Sequence, residues 1–100
     1  MTARVFRFSF SPVVPLDEAE MTLQLATFAA EGLFGMARVR LDFGYHVDAA
    51  RRAILVDGTQ EVGSTVVKLF VGLLLPHFGE DGFRVERVQS VEHQREEVAA

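Results

Sequence analysis

Between residues 37 and 48 the chain reads A-R-V-R-L-D-F-G-Y-H-V-D, an alternation of apolar and polar residues without a break. Val39, Leu41, Phe43, Tyr45 and Val47 fall on one side of an extended backbone, and Arg38, Arg40, Asp42, His46 and Asp48 fall on the other. This spacing predicts a strand with one dry face, and the rest of the chain is then expected to cover that face. The Ala-Ile-Leu-Val run that begins at Ala53 predicts a return strand over residues 53–57. A short turn sets Tyr45 opposite Ile54 and Phe43 opposite Val56, with Leu55 on the other side.

The same period-2 signal opens the chain, where Phe6, Phe8 and Phe10 alternate with Arg7, Ser9 and Ser11. Pro12 and Pro15 end that strand, because proline has no N–H to give to a ladder. A first helix is predicted from Asp17, with Glu20 at the reciprocal capping position and Leu16 and Met21 placed as a hydrophobic staple. Met21, Leu25, Phe28 and Ala29 form its expected buried stripe, with Leu23 and Ala26 widening it, and Gly32 its expected end. After Gly58, Thr59 is placed to cap a second helix with Glu61 in its first turn. Val62, Val66, Leu69, Phe70, Leu73 and Leu74 recur at helical spacing, while Val67, Val71, Leu75 and Phe78 fall outside a single stripe. Pro76 marks its end or a kink, residues 79–82 a loop, and Phe83, Val85 and Arg87 a last strand.

One hundred residues suffice for one domain, expected over residues 1–91, and the aperiodic, charged segment 92–100 is expected to be a disordered tail. Ten basic against 14 acidic residues give a net charge of -4, which argues against nucleic acid and anionic membrane as partners. With no cysteine, disulfides, thiolate metal sites and a cysteine nucleophile are excluded together, and a cytoplasmic location is expected. The most apolar segment, residues 66–75, is shorter than the ~20 residues of a membrane span and holds Lys68, so a soluble chain is expected. Nine of the ten aromatic residues are phenylalanine, which has no polar atom to present to a ligand, so core packing is their expected use.

The predicted order is strand, helix, strand, strand, helix, strand. That α+β pattern resembles the ferredoxin-like βαββαβ sandwich, in which a four-stranded antiparallel sheet carries two helices on one face and strands one and three are central. The resemblance covers most of the chain, and because this scaffold hosts many unrelated activities it implies none in particular. RNA-recognition domains carry aromatic residues on the open face of the inner strands, where this chain has Arg7, Ser9 and Ser11. Acylphosphatase-like enzymes need an arginine in a glycine-rich loop after the first strand, where this chain has Ser-Pro-Val-Val-Pro.

Four candidate sites remain. Residues 58–65, G-T-Q-E-V-G-S-T, have the context of a phosphate-binding loop but lack its lysine, and close packing at the glycines is the expected role. His46 and Asp48 share the wet side of their strand without a third ligand or nucleophile, so no metal and no catalytic group is expected there. Arg7, Arg38, Arg40 and Arg84, with His46, are expected on the open sheet face, suited to an anionic ligand or simply solvated. Val67, Val71, Leu75 and Phe78 are the expected association surface. The function expected from this pattern is a non-catalytic protein-association module without a cofactor, as a homodimer or a subunit of a larger assembly. A small anionic-ligand domain or small enzyme around His46 is the alternative, and nucleic-acid binding stands last.

Overall fold

The computed structural model describes residues 4–88. In order the chain forms β1 (Val5–Phe10), α1 (Leu16–Phe34), α2 (Met36–Asp42), β2 (Tyr45–Asp48), β3 (Ala53–Asp57), α3 (Glu61–Phe78), a 3-10 turn (Glu80–Gly82) and β4 (Phe83–Val88). The architecture is α+β, with an antiparallel four-stranded sheet in the order β2-β3-β1-β4 and three helices. Strands β1 and β3 are central and β2 and β4 are edges, as the two strand-helix-strand crossovers require. The expected tail, residues 92–100, lies outside the described residues.

Side-chain parity on the central strands follows the sequence. Phe8 and Phe10 on β1 and Ile54 and Val56 on β3 are buried in one cluster with Ala19, Leu23, Ala26 and Ala30 of α1 and Val62, Val66, Phe70 and Leu74 of α3. The helices therefore lie against this face. Phe6 packs at its margin. Arg7, Ser9 and Leu55, of opposite parity, are half-buried on the other face.

The opening alternation does not make one long strand. Residues 36–42 are helical, and only Tyr45–Asp48 pairs in the sheet. Gly35 lies at φ 86, a left-handed value that suits glycine, so α1 stops there and the chain restarts as α2 in a new direction. Met36, Ala37, Arg38, Arg40 and Leu41 are all good helix formers, and Val39 is the only β-branched residue of the seven. Val39 is buried in the core and Phe43 packs beside it, an i,i+4 pair hidden inside the period-2 pattern. Leu41, expected on the dry side, is 85% exposed.

Helix ends and register also differ from expectation. Helix α1 begins after Pro15 without a side-chain cap and runs on to Gly35 rather than Gly32; α3 begins after Gln60, while the Thr59 hydroxyl accepts the Arg4 N–H at 2.8 Å. Pro76 sits inside the last turn of α3, which ends at Phe78. In the hairpin Tyr45 pairs with Val56 and Val47 with Ile54, a shift of two residues from the expected register, so the buried parity of Ile54 and Val56 survives.

The shift follows from a four-residue turn, 49–52, that closes on Arg52 at φ 50. Arginine holds this strained value because its side chain is anchored. Its guanidinium Nη2 donates to the carbonyl oxygens of Ser11, at 3.0 Å, and of Val14, while its own carbonyl accepts the Phe10 N–H at 2.9 Å. The β1–α1 loop is thus tied to the β2–β3 turn. Replacing Arg52 by alanine removes two charge-assisted bonds, the Ser11 carbonyl keeping only the Val14 N–H, so urea unfolding is expected to show a loss of about 2 kcal/mol. Replacement by glycine loses the same bonds but relaxes the turn, and its loss should be smaller by roughly 1 kcal/mol.

Candidate functional site

The expected arginine face divides in two. Arg38 and Arg40 ride on α2 and leave the sheet. Arg38 binds Glu61 at 2.9 Å and Asp42 at 3.5 Å, with its guanidinium 4.9 Å above the Phe34 ring, which ties α2 to the first turn of α3. Arg40 is exposed.

The remaining three residues do share one sheet face. The ladder sets His46, Leu55, Arg7 and Glu86 in one row across the four strands, and Asp48, Ala53, Ser9 and Arg84 in the next. His46 and Arg7 are two strands apart, about 10 Å at the usual strand spacing, with Leu55 between them. Arg7 pairs with Glu86 at 3.6 Å. Opposite charges thus alternate across the rows, the pattern of a solvated antiparallel face. A polar recess of ≈ 380 Å³ at the end of the β1–β4 pair is bordered by Ser9, Ser11, Glu80, Asp81 and Arg84, and His46 is not part of it. Among the described residues no three histidine or acidic side chains come together as metal ligands.

Residues 58–65 serve packing. A Cβ on Gly63 would overlap the Asp57 carbonyl oxygen, so β3 and α3 meet too closely there for a larger residue, and one on Gly58 would sit 2.7 Å from the Phe6 ring of β1.

On the edge strand, the Tyr45 hydroxyl donates to Glu20 Oε2 at 2.9 Å and accepts from Gln24 Nε2 at 3.5 Å. The Gln24 amide lowers the hydroxyl's pKa, but burial and the adjacent Glu20 carboxylate outweigh it and raise the value above that of an ordinary phenol. This contact anchors α1 to β2.

The expected association residues are mostly enclosed: Val67, Val71 and Phe78 pack against the core from the side of α3, and only Leu75 is exposed, at 42%. Among the described residues α1 carries more large exposed apolar side chains than any other element. Its buried residues are Ala19, Leu23, Ala26 and Ala30, whereas Met21, Leu25 and Phe28, expected inside, are 61%, 62% and 72% exposed. Both sets repeat at spacings of four and three, and an offset of two residues turns them about 200° apart on a helix. Helix α1 therefore carries two opposed apolar seams. The sheet and α3 take the one rich in alanine, because small side chains let the helix backbone come close.

The outer seam borders a groove of ≈ 270 Å³ between α1 and α3, lined by Glu18, Met21, Thr22, Leu25, Leu73 and His77. This contact of the first turns of α1 with the last turns of α3 means that the two helices run antiparallel. Helix α3 is long and apolar enough to cross a membrane by length and composition, which the 66–75 count missed, but its Val62, Val66, Phe70 and Leu74 stripe is in the core.

No protein-family model matches this chain, and no curated protein or solved structure matches it either.

Proposed function

We propose that this chain is a non-catalytic, cytoplasmic protein-association module, and that it works by self-association through the outer face of α1 and the α1–α3 groove. Its strand order and two crossovers support a ferredoxin-like βαββαβ scaffold with α2 as an addition before the second strand. The observation that carries the reading is the exposed seam of Met21, Leu25 and Phe28, three large apolar side chains at core spacing that none of the described residues covers.

The size of the face fits a second copy. Helix α1 has 19 residues, and at 1.5 Å per residue and about 9 Å to its neighbour the two-helix layer offers on the order of 500 Å² in projection. Corrugation raises the accessible area toward the ~800 Å² that each partner gives to a standard interface. The sheet's other face supports an anionic-ligand reading less well, since two of its four expected arginines are on α2 and Arg7 is paired with Glu86.

The Leu25→Glu substitution tests this. Sedimentation velocity is expected to give two copies for the wild type at high concentration and one for the variant. Variant stability should stay within about 0.5 kcal/mol of the wild type measured as a monomer, because Leu25 is outside the core. A wild type that sediments as a single copy up to millimolar concentration rules the reading out.

A further inference from the structure

We infer that the second copy packs with its α1 antiparallel to the first, with Leu25 at the two-fold axis; this rests on the self-association reading. The seam runs Glu18, Met21, Leu25, Phe28 and Gly32 at alternating spacings of three and four, the repeat of a helix that meets another helix along its length. Which way the partner runs is decided by what stands at the two ends.

A two-fold axis along the helix would make the copies parallel and set every residue beside itself. Glu18 would then meet Glu18, with both copies of Asp17 close by, so four carboxylates would crowd one end. The bulky Phe28 would meet Phe28 while Gly32 met Gly32, leaving a thick and a thin end.

An axis across the helix at Leu25 pairs positions whose numbers add to 50. Glu18 then lies on Gly32, Met21 on Ala29 and Thr22 on Phe28, so away from Leu25, which meets itself on the axis, each larger side chain meets a smaller one. A Cβ at Gly32 would touch nothing within 4 Å, so there is room for the aliphatic stem of Glu18. The acidic first turn, Asp17 and Glu18, arrives at the partner's α1–α2 junction, where Arg40 is exposed and supplies the opposite charge, while Arg38 is already paired with Asp42 and Glu61 of its own copy. Glu31 is the one acidic residue at that end of α1, and it lies about a quarter-turn off the seam.

Helix α3 agrees. With the axis across α1, α3 of one copy lies over α3 of the other, and Gly72 is near the level of the axis because its neighbour Leu73 borders Met21 and Leu25 in the groove. Gly72 is exposed within an 18-residue helix, and a Cβ there would also meet nothing within 4 Å. No contact inside the domain uses the space that it leaves, and a close approach of the two α3 helices does.

The chain has no cysteine, so single cysteine variants report the geometry without background. With diamide as oxidant, the Leu25→Cys variant is expected to form a disulfide-linked dimer roughly tenfold or more faster than the Glu18→Cys variant, because a disulfide needs Cα atoms within about 7 Å. In the antiparallel pair the two copies of position 18 stand about 20 Å apart along the helix. The Glu18→Cys/Gly32→Cys double variant should cross-link as readily as Leu25→Cys. Fast cross-linking of the Glu18→Cys variant alone means a parallel pair and overturns the inference. If the wild type sediments as two copies and neither Leu25→Cys nor the double variant cross-links, the orientation is wrong and self-association stands. A wild type that remains a single copy removes both.

Discussion

The Phe70→Ala variant is expected to lose about 3–5 kcal/mol of folding free energy, a large part of the 5–15 kcal/mol that holds a domain of this size. Phe70 is fully buried, and its ring centroid lies 4.7 Å from that of Phe8 and 6.4 Å from that of Phe10, both tilted. These contacts join α3 to the middle of the sheet, because Phe8 is on a central strand. Phe8 and Phe10 are held by ladders to β4, and Phe8 to β3 as well, so they cannot move in to fill the space. Most of the cavity will therefore persist, and its cost adds to the lost transfer free energy. Leu73, three residues along the helix and 39% exposed, provides the comparison: Leu73→Ala should cost less than about 1.5 kcal/mol in the monomer. Urea unfolding in the Leu25→Glu background separates folding from association. Similar losses for Phe70→Ala and Leu73→Ala would mean that α3 is not seated as described.

The strands with one buried face were legible where the alternation had no rival. Phe6, Phe8 and Phe10 alternate with Arg7 and Ser9, Pro12 cuts short any helix drawn through Phe6 and Phe10, and Phe8 and Phe10 are buried as the alternation predicts. In residues 36–48 two periods coexist. Alternation is visible to the eye, but Val39 and Phe43 also stand at helical spacing, and a seven-residue helix needs little more than one buried side chain. Tertiary cover decided between them: Val39 has the core beneath it once Gly35 turns the chain.

The exposure of the expected α1 stripe has a different cause. Helix α1 offers two seams, and counting hydrophobicity centres the stripe on Met21, Leu25 and Phe28, with Leu23 and Ala26 at its margin, and passes over Ala19 and Ala30. Burial follows fit rather than size, and alanine admits the closer packing. Two apolar seams on opposite sides of one helix leave one of them outside the domain's own core, whereas on α3 Val67, Val71 and Phe78 pack against that core. The Arg52 anchor had no local signal, since its acceptors on Ser11 and Val14 are about 40 residues away.

The second large effect concerns Gly63, where the sign of an ordinary substitution is expected to reverse. Alanine for glycine inside a helix usually stabilises by about 0.5–1 kcal/mol, since the unfolded chain loses freedom and the helix gains a better former. At Gly72 nothing stands within 4 Å of the added methyl, so Gly72→Ala should follow that rule in the monomeric Leu25→Glu background. At Gly63 the added methyl would overlap the Asp57 carbonyl oxygen and press on the Asp57 carbonyl carbon, at 3.1 Å, and Gly58 Cα, at 3.2 Å. All three obstacles are backbone, so no rotamer change clears them. The first turn of α3 must lift from the end of β3, where Val62 and Val66 are fully buried, and a loss of about 3 kcal/mol or more is expected. Gly58→Ala tests the reasoning from the other side. Its methyl meets the edge of the Phe6 ring at 2.7 Å, a half-buried side chain that can swing away, so its cost should be clearly smaller than that of Gly63→Ala. Urea midpoints in the order Gly72→Ala, Gly58→Ala, Gly63→Ala from high to low are the expected result. A Gly63→Ala variant as stable as the parent would mean that β3 and α3 do not meet at this turn.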